Sequence, residues 1–449
     1  MSNEAFRQLG YRIVDMVVDR HREKDREPAI AEQSPEWFAA QLSQVLPVAG
    51  QPIEPLLSQL ADSVLAYQQH GDHPRYFARV PSPASYAAIL GEWLATGFNT
   101  ISTSWGGGAG PAAVEKLVMT WLAELLDLPQ NSEGVLLSGG SMANFTAFAV
   151  AKHERGLGTV YLHEQTHSSL KRNLQNLGFA DTQIRVLPCN WQFAFDLEVL
   201  RSAIEHDLQA GNQPMMVVAS AGTTNTGTVD DLQAISALCQ QHALWLHVDG
   251  AYGAPAYLTE RGKVVMQGLS LADSVVLDPH KWFFQPYDVG ACLIRHPGAL
   301  ERCFGMYPEY LKDSQGEHAL NFGNRSLELT RRSRAVKLWL SMQTYGTDAM
   351  AAGIDVGIDL ALYAQSIIEA SERWELVTPA QLGVVCLALK GARDGQHAIM
   401  AHRLAESGYA CVSSTTLAGR SVLRLCTINP LTTTEDIDQT LSRLLEFAG

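Results

Sequence analysis

The sequence predicts an α/β fold: a mainly parallel, seven-stranded sheet covered by helices, with a helical segment before it and a small α+β domain after it. Three observations carry that expectation. Between residues 76 and 340, short apolar runs at 135–137, 159–162, 183–187, 215–219, 245–248, 274–277 and 290–294 alternate with stretches of helical periodicity, the pattern of strands joined by covering helices. Asp249, Lys281 and the turn Gly139-Gly140-Ser141 all fall at or just beyond the ends of such runs, where open α/β sheets gather ligands. A long helical pattern at 350–370 then precedes two further strand-like runs, 383–389 and 421–426, and a terminal helix announced by Pro430 and Thr432-Thr433-Thr434.

Taken in order, residues 1–75 read as helices with polar links such as Ile30-Ala31-Glu32-Gln33-Ser34-Pro35 and Pro47-Val48-Ala49-Gly50. Several apolar faces there lack a partner within the segment. Residues 76–340 form the large domain and 341–449 the small one, with no internal repeat or low-complexity stretch. A chain of 449 residues can bury a substantial core. Its formal charge of −14 argues against nucleic acid and against an anionic membrane surface. No uninterrupted apolar run approaches the roughly 20 residues of a membrane span. The polar N-terminus enters a helix pattern at once, so no signal peptide is expected. The seven cysteines are dispersed, without CxxC or zinc spacing; such a set suits a reducing cytoplasm rather than a disulfide framework, and no metal site is expected. The sequons at Asn144 and Asn324 then carry no meaning.

Chemistry concentrates in three places. Lys281 lies in Asp278-Pro279-His280-Lys281-Trp282, and Asp249 closes the run Leu244-Trp245-Leu246-His247-Val248-Asp249. One amine and one carboxylate at strand ends are what pyridoxal 5'-phosphate (PLP) needs: the lysine forms a Schiff base with the aldehyde, and the carboxylate keeps the pyridine nitrogen protonated so that the ring accepts electrons. Each alone has a plainer reading, a helix cap for the Asp and a solvated side chain for the Lys. The third place is Leu136-Leu137-Ser138-Gly139-Gly140-Ser141-Met142-Ala143-Asn144, a strand running through two glycines into a helix. There, backbone amides and the helix N-terminus suit a phosphate, and Ser141 adds a hydroxyl donor. Ser138 is the weaker candidate, being still on the strand.

These motifs resemble the group II PLP-dependent amino-acid decarboxylases, the family of aromatic-L-amino-acid decarboxylase. The likeness runs nearly end to end, from Phe6-Arg7-Gln8-Leu9-Gly10-Tyr11 through His73-Pro74-Arg75-Tyr76-Phe77 and Ser104-Trp105 to Val422-Leu423-Arg424-Leu425 and Thr434-Glu435-Asp436-Ile437-Asp438. The resemblance implies fold-type I architecture, like that of aspartate aminotransferase, and a homodimer with shared active sites in which the N-terminal segment packs across the two-fold axis. By motif match, His167 stacks on the pyridine ring and Ala251 packs on its opposite face. His280 contacts the phosphate. Thr224 bonds near the phenolic oxygen or the Asp, with Thr223 and Thr226 as alternatives. Tyr310, in the segment 304–327, is the mobile-loop tyrosine that delivers a proton to Cα, in the neighbouring subunit's site if the family pattern holds. Arg331 matches a family arginine near the site and reads equally well as a charged turn before a helix.

The same resemblance implies decarboxylation to an amine, since both His167 and Tyr310 are present. PLP-dependent aldehyde synthesis is the alternative chemistry, and transamination is weaker, although Arg424 lies on a suitable strand. Trp105, Tyr76, Phe77 and Pro81 give an apolar entrance that favours an aromatic substrate: tryptophan, tyrosine, phenylalanine or Dopa. Val80 and Thr103 stand where aromatic or larger apolar side chains are usual, so acidic or diamino acids (glutamate, aspartate, diaminobutyrate) are the runner-up. Gly106-Gly107-Gly108 beside Trp105 either widens the pocket or forms a flexible turn.

Overall fold

The computed structural model describes residues 1–42, 45–306 and 320–448. The chain divides into two compact units, one of residues 82–365 and 378–386, the other of 1–81, 366–377 and 387–449. These boundaries fall differently from those read in the sequence, and backbone pairing explains why. Within the smaller unit, Phe77 N–H donates to Cys411 O at 2.7 Å and Cys426 N–H to Phe77 O at 2.9 Å, so the end of the N-terminal segment is stitched into the C-terminal strands. Within the larger unit, Val229 N–H donates to Gln381 Oε1 at 2.9 Å and Gly383 N–H to Tyr252 Oη at 2.8 Å, which draws 378–386 to the large sheet.

In the smaller unit, α1 (Asn3–Glu23), α2 (Pro35–Gln41) and α3 (Ile53–Leu60) open the chain. Ser2 and Ser34 cap the first two with side-chain oxygens, satisfying amides that have no partner inside the helix. None of the three helices carries a fully buried residue.

The larger unit follows with α4 (Tyr86–Gly97), α5 (Trp105–Leu125), α6 (Gly140–Arg155) and α7 (Ser168–Asn176). Its sheet comprises β1 (Glu133–Leu137), β2 (Thr159–His163), β3 (Ile184–Leu187), β4 (Pro214–Ser220), β5 (Trp245–Asp249), β6 (Ser274–Leu277) and β7 (Gly290–Ile294), in the order β1-β7-β6-β5-β4-β2-β3. All neighbours are parallel except β7, which runs antiparallel to both β1 and β6. The strands are nearly continuous apolar runs because helices cover both faces. α6 packs over β1, β5, β6 and β7, burying Ala143, Ala147, Phe148 and Ala151 against Val135, Val276 and Cys292.

The helix Ala335–Ala370 is broken at Gly346, whose φ of 74° lies in the left-handed region. By length and composition it is apolar enough to cross a membrane. Met350, Ile354, Ile358, Ala361, Ala364 and Ile368 are buried at helical spacing, as in a core helix of a globular protein. Four more strands, β8 (Trp374–Gln381), β9 (Val384–Leu389), β10 (Ser413–Leu417) and β11 (Arg420–Cys426), form a second sheet in the order β10-β11-β9-β8.

Candidate active site

The site in the larger unit begins where β1 ends. Gly139 caps α6 with φ +137°, a conformation that L side chains rarely adopt. A Cβ there would lie 3.1 Å from His280 Cε1, and one at Gly140 would lie 2.8 Å from Asp278 Oδ2 and 3.1 Å from Ala251 Cβ. The missing side chains leave the first amides of a 16-residue helix facing a small cup. Ser138 and Ser141 are both exposed at its rim. Leu137 pairs with Gly290 across the antiparallel ladder, so β7 starts at the cup as well.

Lys281 stands beside that cup in a turn whose N–H bonds back to Asp278 O at 2.9 Å. Its Nζ lies 3.0 Å from Asp278 Oδ2. Burial alone would lower the pKa of this amine; the charge and hydrogen bond of Asp278, with the field of Asp249, instead raise it above the usual lysine value. The amine is thus held as an ammonium. His280 accepts a hydrogen bond at Nδ1 from Val289 N–H at 3.1 Å, and burial lowers its pKa despite Asp278. A neutral ring that accepts at Nδ1 carries its proton on Nε2, the donor side.

Asp249 ends β5 and accepts from Ala251 N–H at 3.1 Å. His167 caps α7, accepting from Ser169 N–H at 3.3 Å with Ser169 Oγ at 2.8 Å. Desolvation lowers its pKa, the fields of Asp249 and Asp278 acting against that and Lys281 with it, so the imidazole is uncharged. Ala251 N–H and O bond Asp249 and Asp278 N–H respectively, and this small residue separates the two carboxylates.

The three threonines divide sharply. Thr223 and Thr226 share a 2.6 Å hydroxyl contact, and Thr226 donates on to Thr228 at 2.8 Å. Those hydroxyls are spent on the loop itself, while Thr224 is only half buried. Trp105 starts α5 with 42% exposure. Gly106 and Gly107 lie in the first turn of α5, which kinks at Gly108 (φ −168°, ψ 64°), where a Cβ would fall 2.1 Å from Ile101 O. Thr103 Oγ1 accepts from Arg331 N–H at 3.2 Å. In the smaller unit, Tyr76 is 2% exposed and bonds Gln69 Oε1 at 2.7 Å. Phe77 is fully buried there, Pro81 is buried and Val80 half-buried. Arg424, on β11 of that unit, is 2% exposed and donates through Nη1 to Arg79 O. Tyr310 lies outside the described residues.

Arg331 is not a solvated turn charge but a buried group beside the strand that leads into the cup. Its guanidinium pairs with Glu115 through two 2.7 Å hydrogen bonds, with both side chains fully buried. It also donates to Ser102 O at 3.1 Å and to Leu136 O, bracing the end of β1 behind the cup.

Sequence reasoning missed two further elements. Asp278 was quoted only as part of the lysine motif, although a spacing of three residues in a turn is itself a pairing signal. His163, at the end of β2, is a fully buried clasp: Nε2 is 3.2 Å from Asp230 Oδ2 and 3.3 Å from Ser220 Oγ, and Nδ1 is 3.2 Å from Cys189 Sγ. It fixes the strand end from which the chain runs on to His167.

A glycine cup for a phosphate, an amine for an aldehyde and a carboxylate for a basic ring nitrogen form a set that fits pyridoxal phosphate, which carries all three groups. Comparison with known proteins agrees. A family model, the pyridoxal-dependent decarboxylase conserved domain, matches residues 35–390. The chain is 39% identical to an aromatic-L-amino-acid decarboxylase of Bacillus atrophaeus, covering 100% of this chain and 96% of that one. It is 28% identical to tryptophan decarboxylase 2 of Oryza sativa subsp. japonica, covering 98% and 93%. The crystal structure of Oryza sativa TDC with PLP and tryptamine superposes with a TM-score of 0.94 at 26% identity, covering 100% of this chain and 98% of that one.

Proposed function

The chain belongs to the pyridoxal-dependent decarboxylase family, and from that premise we propose that it converts an aromatic L-amino acid to the corresponding amine and CO2. It is a PLP-dependent carboxy-lyase. The observation that carries the aromatic reading is the full-length likeness to an aromatic-L-amino-acid decarboxylase at 39% identity.

The cup, Lys281 and Asp249 would hold pyridoxal phosphate, whose ring would supply an electron sink for the bond between Cα and the carboxylate. Lys281 anchors the aldehyde covalently and so fixes its place. Asp249, held by the Ala251 amide at 3.1 Å, keeps a proton on the ring nitrogen. His167 offers an uncharged ring for stacking, and Ala251 leaves room on the opposite face. His280, with its proton on Nε2, joins the amides of Gly139 and Gly140 and the Ser141 hydroxyl in holding the phosphate. Thr224, the threonine whose hydroxyl the loop does not consume, is assigned to the cofactor's polar edge. Tyr310 is assigned the proton delivered to Cα.

A homodimer is part of the proposal. Phe6, Tyr11 and Val18 on α1 are 70%, 61% and 41% exposed, and Tyr86, Leu90 and Leu94, spaced four apart on α4, are 57%, 56% and 53% exposed. Such apolar stripes suit a second copy of the chain. Trp105, also exposed, then lines a site completed by the partner. The proposed compartment is the cytoplasm, in keeping with seven cysteines dispersed without the spacing of a disulfide framework.

The test is a panel of L-amino acids incubated with the PLP-loaded protein, quantifying CO2 and amine. Release of amine from tryptophan, tyrosine, phenylalanine or Dopa is expected. Amine from acidic or diamino acids alone would overturn the aromatic assignment, and aldehyde with ammonia would overturn simple decarboxylation. Tyr310→Phe should keep the cofactor's visible absorption and lower amine formation by about 100-fold or more; an unchanged rate removes Tyr310 from the proton step.

A further inference from the structure

The anion cup contains a carboxylate of its own. Asp278 is 2% exposed. Its Oδ2 lies 3.0 Å from Lys281 Nζ and 3.6 Å from His280 Nε2. Its Oδ1 is shut off from solvent and has no hydrogen-bond partner among the described residues. The positions that Cβ atoms of Gly140 and Gly290 would occupy lie 2.8 Å from Oδ2 and from Oδ1 respectively. The carboxylate is therefore wedged between the first residue of α6 and the first residue of β7. Glycine at both places gives it room.

That location carries two electrostatic consequences. A carboxylate at a helix N-terminus takes up part of the positive potential that would otherwise hold an anion. It also stands as a like charge beside any phosphate bound in the cup, where low solvent access lets the repulsion act at close to full strength. Meanwhile it pairs with the amine that must reach the aldehyde.

We propose that Asp278 is a positioning residue that holds the Lys281 ammonium and at the same time opposes the cofactor's phosphate. Retention of the cofactor then leans on the bond to Lys281 more than on the phosphate cup. The inference rests on the cofactor assignment and extends it to how the cofactor is held.

Two aldehydes separate the two effects: pyridoxal 5'-phosphate and pyridoxal, which lacks the phosphate. Each is titrated into cofactor-stripped protein, following the visible band and the quenching of tryptophan fluorescence. Because any effect on Lys281 is common to both ligands, the ratio of their dissociation constants isolates the phosphate. Asp278→Asn should raise the preference for the phosphorylated ligand by about tenfold or more, while Asp278→Glu, which keeps the charge, stays near the wild-type ratio. An unchanged or reduced preference in Asp278→Asn overturns the proposal. Inorganic phosphate provides a second measurement that does not depend on the folding of that variant. In Lys281→Ala, where Asp278 has lost its counter-charge, phosphate should raise the melting temperature less than it does in the wild type. An equal or larger rise overturns the proposal. A protein that develops no visible band with either aldehyde overturns the cofactor assignment, and the proposal falls with it.

Discussion

Glu115 and Arg331 show how much a single buried pair can carry. Removing one partner strands a charge in the core, at a typical cost of about 3–5 kcal/mol, whereas replacing both with apolar residues is far milder. Glu115→Leu alone and Arg331→Met alone should each lower the urea unfolding free energy by roughly that amount, and the double variant should recover much of it. A single variant costing under about 1 kcal/mol would contradict the burial. The pair was illegible beforehand. Arg331 sits among three arginines in Arg331-Arg332-Ser333-Arg334, and nothing local distinguishes the one that goes inside. Glu115 lies in an ordinary helical pattern, far from it along the chain. The placement of Asp249 at the end of β5, and of Lys281 in the turn after β6, was legible because each is a polar residue following an apolar run. That the Thr223 and Thr226 hydroxyls bond each other within the loop could be learned only from the structure.

At the level of elements, all seven strands of the large sheet were visible as apolar runs; six are buried along nearly their whole length and so lack polar alternation, while the edge strand β3 alternates and shows through Ile184, Val186 and Leu187. The reversal of β7 was not visible, since periodicity carries no direction. The clasp at the end of β2 was hidden too: His163 reads as a polar residue leading into the His167 motif. Burial alone would lower the His163 pKa, but the charge and hydrogen bond of Asp230, then Cys189, raise it to about 10. A folded value above the unfolded one, near 6.5, means that the stabilisation is complete below about pH 6.5 and is lost as pH rises through about 10. Melting temperature measured from pH 7 to 10.5 should therefore fall, and His163→Asn should flatten that slope. Parallel slopes in the two proteins would show that the clasp is not the source.

For the molecule as a whole, acid acts through histidines buried without charge. His247, fully buried between Ser274 Oγ at 2.8 Å and Asn144 Oδ1 at 2.7 Å, is lowered by burial to about 3. His73, fully buried, is lowered chiefly by burial to about 4. Both bind protons more readily unfolded, so stability declines as pH falls from about 6.5 toward those values, by on the order of 5 kcal/mol together. Asp72 adds a later loss. Burial would raise its pKa, yet the hydrogen bond and charge of Arg20 bring it down to about 2, so its contribution disappears between about pH 4 and 2. Urea midpoints at pH 7 and pH 5 should differ clearly; equal midpoints would contradict the neutral burial of these rings. The grouping of the N-terminal segment with the C-terminal strands was beyond sequence reading for a related reason: the ladder joining Phe77 to Cys411 and Cys426 is made of backbone atoms, which every residue carries alike.

The antiparallel β7 has one more consequence. Leu137 and Leu277 end strands that belong to distant parts of the chain, and in the sheet β7 joins them, pairing Gly290 with Leu137 and Ala291 with Leu277. Cup and lysine are therefore neighbours only once the sheet has closed around that reversed strand. A cofactor that binds the folded chain there stabilises it by mass action, each additional tenfold of free ligand above its dissociation constant deepening the native well by about 1.4 kcal/mol. For this chain, vitamin supply is a folding variable.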